Sequence, residues 1–349
     1  MIISKHGVRW RMSVRHQILG EPGRDNALLV TVDSGQSLHR LLFDCGEGCL
    51  SEMPYGDTQE IEAVFFSHFH VDHVAGFDSL LRANWGRPDR PMRVFGPAGT
   101  IDVIHHRLQG YTWNLVEGST GEWIVSEIDG IQIQTARFLS SEGFGVRHDE
   151  GMVDSDGAEY RGICFDVNAI ELDHGIPSMA YALHEHARTN VDMEELAKMD
   201  LKPGPWMQAL KDASSHDESV VRAGDADFRT GDLRERLLRE TKGESIAYLT
   251  DFILSSHEEE TQLVEFLDGC DTMVCENNYG NADSELATKH RHMTSAGVAR
   301  LADRVQPEQL ILFHLSDRYT EEEWQAQLEE VREVFPRVEF PDNWFSTDI

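Results

Sequence analysis

Apolar residues fall in short runs along this chain, and most runs end on an acid or a histidine. Ala27–Val32 and Leu41–Asp44 read as two strands joined by the turn Asp33-Ser34-Gly35-Gln36-Ser37. Ile61–Phe66 reads as a buried strand, and Val74–Ala83 as a helix stopped by the loop Asn84–Pro91. Arg93–Phe95 predicts another strand, closed by Gly96-Pro97-Ala98-Gly99. Farther on, Phe165–Leu172 leads into Asp173-His174, Ile246–Thr250 into Asp251, Thr272–Cys275 into Glu276 and Leu310–Phe313 into His314. Helical stretches, Glu258–Leu267 and Thr320–Val334, intervene. This alternation predicts an α/β fold with strands between helical layers. In such folds, sites gather where strands end and loops begin.

Residues 185–244 break the pattern. They hold a helical piece at Met193–Met199, the rigid turn Lys202-Pro203-Gly204-Pro205, a polar stretch over Ser214–Ser219 and a second helical segment at Leu233–Thr241. The segment reads as an arm inserted into a single domain spanning 1–349, not as a domain of its own. Its 10 Lys and Arg face 14 acids, so it is no basic clamp.

A length of 349 residues is ample for a large core. The net charge of −31 repels nucleic acid at long range, so a polyanionic substrate needs local basic groups or bound cations. No run of about 18 apolar residues exists, which predicts no membrane span. The N-terminal stretch Met1–His16 is basic without an apolar centre, which argues against a secretory signal and for the cytoplasm. Five cysteines, an odd number without a second pair near Cys45 and Cys49, read as buried or semi-buried thiols and not as a disulfide framework.

The densest chemistry is Ser67-His68-Phe69-His70-Val71-Asp72-His73, directly after the strand at 61–66. Three imidazoles and a carboxylate this close suit zinc and its neighbours in the first transition row. His68 and His70 can take one metal, and Asp72 and His73 a second. These four cannot close two sites. His174, Asp251 and His314, each after an apolar run, are the candidates for the remaining positions. Asp251 is the natural bridge, because a carboxylate has two oxygens. His184 and His186 read as surface residues. His105 and His106 are neighbours on a helix and cannot share one metal.

His68–His73 resembles the HxHxDH signature of the metallo-β-lactamase superfamily, and further segments narrow the resemblance to the tRNase Z (ribonuclease Z) family. Glu21–Asn26, Leu42–Gly48, Leu172–Leu183, Tyr248–Asp251, Cys275–Tyr279 and Phe313–Tyr319 are similar to successive family motifs, in order, over nearly the whole chain. The Leu201–Pro205 turn sits where the family inserts its substrate-gripping arm. The resemblance implies an αββα metallo-β-lactamase sandwich with two metal ions, zinc or manganese, bound by His68, His70, Asp72, His73, His174, Asp251 and His314. It implies a tRNA 3′-processing endoribonuclease that uses a metal-bridging hydroxide on precursor tRNA. Asp72 would take or relay a proton, His292 would protonate the leaving oxygen and Glu276 would orient His292. A homodimer, with one subunit's arm reaching the other's substrate, follows from the same resemblance.

The sequence departs from the family at Ala287–Thr294, where Lys289 replaces the usual acid and Met293 the usual serine, and after Gly48, where Cys49-Leu50-Ser51-Glu52 replaces a polar run. Neither change removes a ligand. Together with the acidity they keep open a second reading, a hydrolase of a small phosphodiester or cyclic nucleotide. A non-catalytic RNA-binding relative is a third, against which the full ligand set speaks. Arg82, Arg87, Arg90 and Arg93, with Lys289, His290, Arg291 and Arg318, form either a local cationic rim or ordinary solvated positions. Trp85, Trp113 and Trp206 read as packing residues.

Overall fold

Two sheets share one core in the computed structural model, which describes residues 13–212 and 216–345. The start of the basic N-terminal stretch, and Ser214 and Ser215 of the polar stretch in the arm, lie outside the described residues. The first sheet runs in sequence order: β1 (Val14–Leu19), β2 (Ala27–Asp33), β3 (Leu38–Phe43), β4 (Ile61–Phe65), β5 (Met92–Pro97), β6 (Glu122–Asp129), β7 (Gln132–Leu139) and β8 (His148–Asp154). Its middle strands β3 to β6 are parallel and its flanks antiparallel. In the second sheet lie β9 (Tyr160–Arg161), β10 (Phe165–Asp173) and β11 (Pro177–Glu185). After the inserted segment, which holds β12 to β15, come β16 (Ser245–Leu249), β17 (Thr272–Glu276), β18 (Gln309–Phe313) and β19 (Val338–Glu339). The spatial order is β19-β18-β17-β16-β11-β10-β9, with β16 to β19 parallel.

Burial on both faces explains why the strands read as unbroken apolar runs. On β3, Leu41 and Phe43 enter the core between the sheets, while Leu42 joins the cluster beneath the helices Phe77–Asn84 and Thr100–Leu108. On β4, Ala63 and Phe65 face inward, and Ile61 and Val64 face the helices. The rings of Phe43, Phe65 and Phe95 stack across three strands at 5.0 and 4.9 Å. Tyr181 and Tyr248 of the second sheet tilt against Phe43 at 5.7 and 5.8 Å. Val298 and Leu301 of helix Ser295–Val305, and Leu328 and Val331 of helix Glu321–Arg332, pack into the same core. The layers are therefore helix, sheet, sheet, helix. The two helices expected after residue 250 start where their caps dictate. Ser256 with Glu259, and Thr320 with Glu323, each form a reciprocal capping box.

Contacts divide the chain into two compact units, one comprising residues up to Glu185 and from Glu244 onward, the other His186–Gly243. The second unit has its own small core of Leu196, Leu210, Ala223, Leu233 and Leu237. β12 (Arg188–Val191) pairs there with β15 (Leu238–Thr241), and β13 (Val220–Ala223) with β14 (Ala226–Arg229). The helix expected at 233–241 is in fact Thr230–Leu237, and its expected second half is β15, because pairing with β12 overrides the helical propensity of that stretch. Likewise the helix expected at 74–83 is split. Val71–Val74 and Phe77–Asn84 are separated at Ala75-Gly76.

All five cysteines are free thiols, four of them buried. Among the described residues no helix is long and apolar enough to cross a membrane.

Candidate metal centre

The strands end sharply beside the centre. Asp44 after β3, Asp251 after β16 and His314 after β18 have φ of +57°, +48° and +52°. Non-glycine residues occupy this left-handed region only where the surroundings hold them, and such positions cluster at functional sites. The histidine-rich loop is built in two parts. His68 follows the end of β4 on extended chain and His70 stands at the N-cap of Val71–Val74, whose single turn carries Asp72 and His73. Four candidate ligands of two types thus emerge from six residues.

A second loop clamps the first. Cys45 N donates to His73 O at 2.8 Å, and Gly76 N donates to Cys45 O at 2.8 Å. A Cβ on Gly76 would stand 2.2 Å from Gly46 O, and one on Gly46 would stand 2.6 Å from Asp72 O. Both glycines are required by close backbone approach. Gly76→Ala must displace the turn that bears Asp72 and His73. We expect metal retention to fall by about tenfold or more, the scale of disturbed ligand support, with a lowered melting temperature; metal content after dialysis against a chelator checks it.

Imidazole nitrogens converge on one buried carboxylate. Asp251 Oδ2 lies 3.8 Å from His68 Nε2 and 3.5 Å from both His73 Nε2 and His174 Nε2. Asp251 Oδ1 lies 3.4 Å from His314 Nε2. Asp72 Oδ2 stands 3.4 Å from His73 Nε2 and 3.7 Å from His314 Nε2. The groups fall into three sets that share Asp251: His68, His70, His174 and Asp251; Asp72, His73, Asp251 and His314; and Asp251, Glu276, His292 and His314, each within 4.8 Å. These spacings are too long for hydrogen bonds. They match a cation held between: two ligand atoms on a tetrahedral transition-metal ion stand about 3.4 Å apart. His68 Nε2 and His73 Nε2 are buried with no hydrogen-bond partner, an arrangement that costs free energy unless something else occupies them. The residues therefore fit bound metal.

The opposite ring nitrogens are fixed. His68 Nδ1 meets Ser67 Oγ at 3.0 Å, His73 Nδ1 meets Asp44 Oδ2 at 2.7 Å and His174 Nδ1 meets Arg291 O at 2.9 Å. His314 Nδ1 faces the Asn278 amide at 3.0 Å. At His68, His73 and His174 these acceptors select the Nδ1–H tautomer and leave Nε2 free for a cation; at His314 the Asn278 Nδ2 is a donor and makes no such selection. Asp44 is the hub of this support. It also accepts from Ser67 N, Ser67 Oγ and the Tyr248 hydroxyl at 2.7, 2.7 and 2.9 Å. Sequence reasoning placed Asp44 in a motif but gave it no role; Ser67 and Asn278, each inside a quoted segment, were given none either.

Electrostatics follow from burial. Desolvation, reinforced by His73, pushes His68 down to about 2, so its imidazole is neutral, the form a metal requires. His73 is equally buried, but Asp251 and Asp44 outweigh that desolvation and raise it well above the usual histidine range. A cation binding there displaces that proton. Asp251 is held well below the carboxylate range, burial being overcome by His314 and His73.

His292 and Glu276 adjoin this centre. His292 Nδ1 meets Glu276 Oε2 at 2.7 Å, and His292 Nε2 lies 4.0 Å from Asp251 Oδ2. Glu276, at the end of β17, is fully buried, and its Oε1 accepts from Phe252 N at 2.8 Å. Burial disfavours the imidazolium, but Glu276 outweighs it and lifts His292 to about 9. Glu276 therefore favours the protonated ring.

Residues 39–151 match the model of the beta-lactamase superfamily domain. The chain is 40% identical to the ribonuclease Z of Deinococcus radiodurans over 94% of this chain and 97% of that protein. The chain belongs to the ribonuclease Z family. The ribonuclease Z of Anoxybacillus flavithermus is 27% identical over 88% of this chain and 86% of its own length. In fold, the chain is similar to the metallo-β-lactamase fold protein YhfI from Bacillus subtilis, with a TM-score of 0.54, 15% identity and coverage of 94% and 95%.

The points where this ribonuclease Z sequence departs from its family lie outside the ligand sets. Met293 is buried against Gly297 in the core, and Thr294 caps helix Ser295–Val305 by accepting from Gly297 N. Of the two readings of the arginines, three positions speak against the cationic rim. Arg87 is buried, donating to the carbonyls of Gln59, Ile61, Arg90 and Pro91; Arg90 pairs with Glu60 and Glu62; Arg291 pairs with Asp173. The first two hold the loop after Asn84 together and are not free to meet a phosphate. Trp85 and Trp113 pack on each other at 5.6 Å, and Trp206 packs on the core of the second unit.

Proposed function

We propose that this chain cuts precursor tRNA at its 3′ end by phosphodiester hydrolysis with a pair of zinc ions. One observation carries the reading: two ligand sets meet at Asp251, with buried imidazole nitrogens left unpartnered, in a chain 40% identical to a ribonuclease Z. His68, His70, His174 and Asp251 would hold one ion; Asp72, His73, Asp251 and His314 the other. Histidine with carboxylate favours zinc, and manganese is the alternative. When bound, the pair supplies an activated water and offsets charge gathering on the phosphoryl oxygens.

The chain's own groups move the protons. Asp72, whose side chain is 41% exposed, would take or relay the proton of the attacking water. As the P–O3′ bond breaks, His292 Nε2 donates its proton to the leaving 3′ oxygen, and Glu276 keeps the ring charged and aimed. The products are a 3′ hydroxyl upstream and a 5′ phosphate downstream. Bound cations also answer the charge problem, since the net charge of −31 opposes RNA everywhere else. His186–Gly243 is the part of the chain suited to grip tRNA as an arm, in a cytoplasmic homodimer.

The test is incubation with precursor tRNA carrying a 3′ trailer, alongside bis-p-nitrophenyl phosphate. We expect one cut at the trailer junction, abolished by chelator and restored by zinc or manganese. Hydrolysis of the small ester without any cut in RNA would overturn the RNA assignment.

A further inference from the structure

Arg291 closes helix Ser284–His290 in a left-handed conformation, φ +59°, a position that ordinarily takes glycine. It makes two connections from there. Its carbonyl accepts from His174 Nδ1 at 2.9 Å. Its guanidinium binds Asp173, while its Cδ and Nε would lie 3.2 Å from a Cβ on Gly175. Asp173 also accepts from Gly175 N at 2.8 Å through its side chain and from Ile253 N at 2.9 Å through its carbonyl. Three segments therefore meet at one ion pair: the turn bearing His174, the loop after Asp251, and the loop bearing His292. The rings of His174 and His292 face each other with centroids 4.9 Å apart.

We propose that Arg291 is a positioning residue, which through its bond to Asp173 fixes the orientation of His174 and its spacing from His292. The proposal rests on the metal-dependent hydrolase reading above. It also removes Arg291 from the residues available to an RNA phosphate, because its guanidinium is already engaged by a carboxylate.

Arg291→Gly deletes the side chain at a backbone position glycine favours, so the fold and the carbonyl bond to His174 are kept. Expected are a fall of about ten- to a hundredfold in zinc retention against a chelator, the scale for groups that orient ligands, a parallel fall in kcat on precursor tRNA, and an unmoved KM. Asp173→Asn keeps an acceptor for Gly175 N and should give the same losses. Combined with Arg291→Gly it should add nothing, since both act through one bond. Arg291→Lys should recover part of the zinc retention. A raised KM with zinc retention intact would make Arg291 an RNA contact and overturn the proposal, as would additive losses or no change. Should the protein cut no RNA at all, the zinc-retention arm still decides the question.

Discussion

Asp251→Asn leaves the protein folded and strips it of metal and of RNA cleavage. Asparagine has the shape of aspartate and tolerates the left-handed backbone that residue 251 adopts, φ +48°, which alanine would not. The substitution therefore isolates the charge. Asp251 is the only residue common to both ligand sets, with His68, His73 and His174 around one oxygen and His314 near the other. Without its charge neither set is complete, and the several kcal/mol of charge stabilisation that metals supply is lost, about a thousandfold or more in kcat. Metal analysis and cleavage kinetics on one preparation check both halves. A variant retaining both ions at near-normal rate would mean the carboxylate is a structural hydrogen-bonding group.

His292→Ala separates proton delivery from metal binding. Its Nδ1 is committed to Glu276 and it belongs to neither of the two ligand sets assigned to the ions, so metal content should be unchanged. Loss of a positioned general acid costs about 10²–10⁴-fold in rate. KM should hold, because the group acts on the leaving oxygen. Glu276→Gln should cost less, about 10- to 100-fold, since the ring stays in place but loses its negative partner. The pair of variants reads out as a graded loss in kcat. Equal metal loss in both would instead make His292 a ligand.

Most of the candidate ligand set was legible because its signal is local. A strand buried on both faces is an apolar run, and the residue that ends it stands out by type, as at Asp251, Glu276 and His314. What orients those ligands was not legible. His174 and Arg291 are 117 positions apart, and no period or spacing links them. Asp44 and Tyr248 are 204 apart. Gly76 shows the same limit in the fold, where a helical pattern over 74–83 gives no warning that the backbone of Cys45 and Gly46 presses against its middle. The stretch Leu238–Thr241 follows a helix and could extend it, and only pairing with Arg188–Val191 makes it a strand. The role of the arginines stayed open for a related reason. Composition gives their charge, but their partners, the carbonyls around Arg87 and the carboxylate of Asp173, come only from the folded chain.

Native mass spectrometry of the purified protein, before and after chelation, tests the central claim most directly. Two transition-metal ions per chain, lost together with RNA cleavage and regained together on adding zinc, is the predicted result. A protein that cuts precursor tRNA at full rate with no bound metal would contradict it.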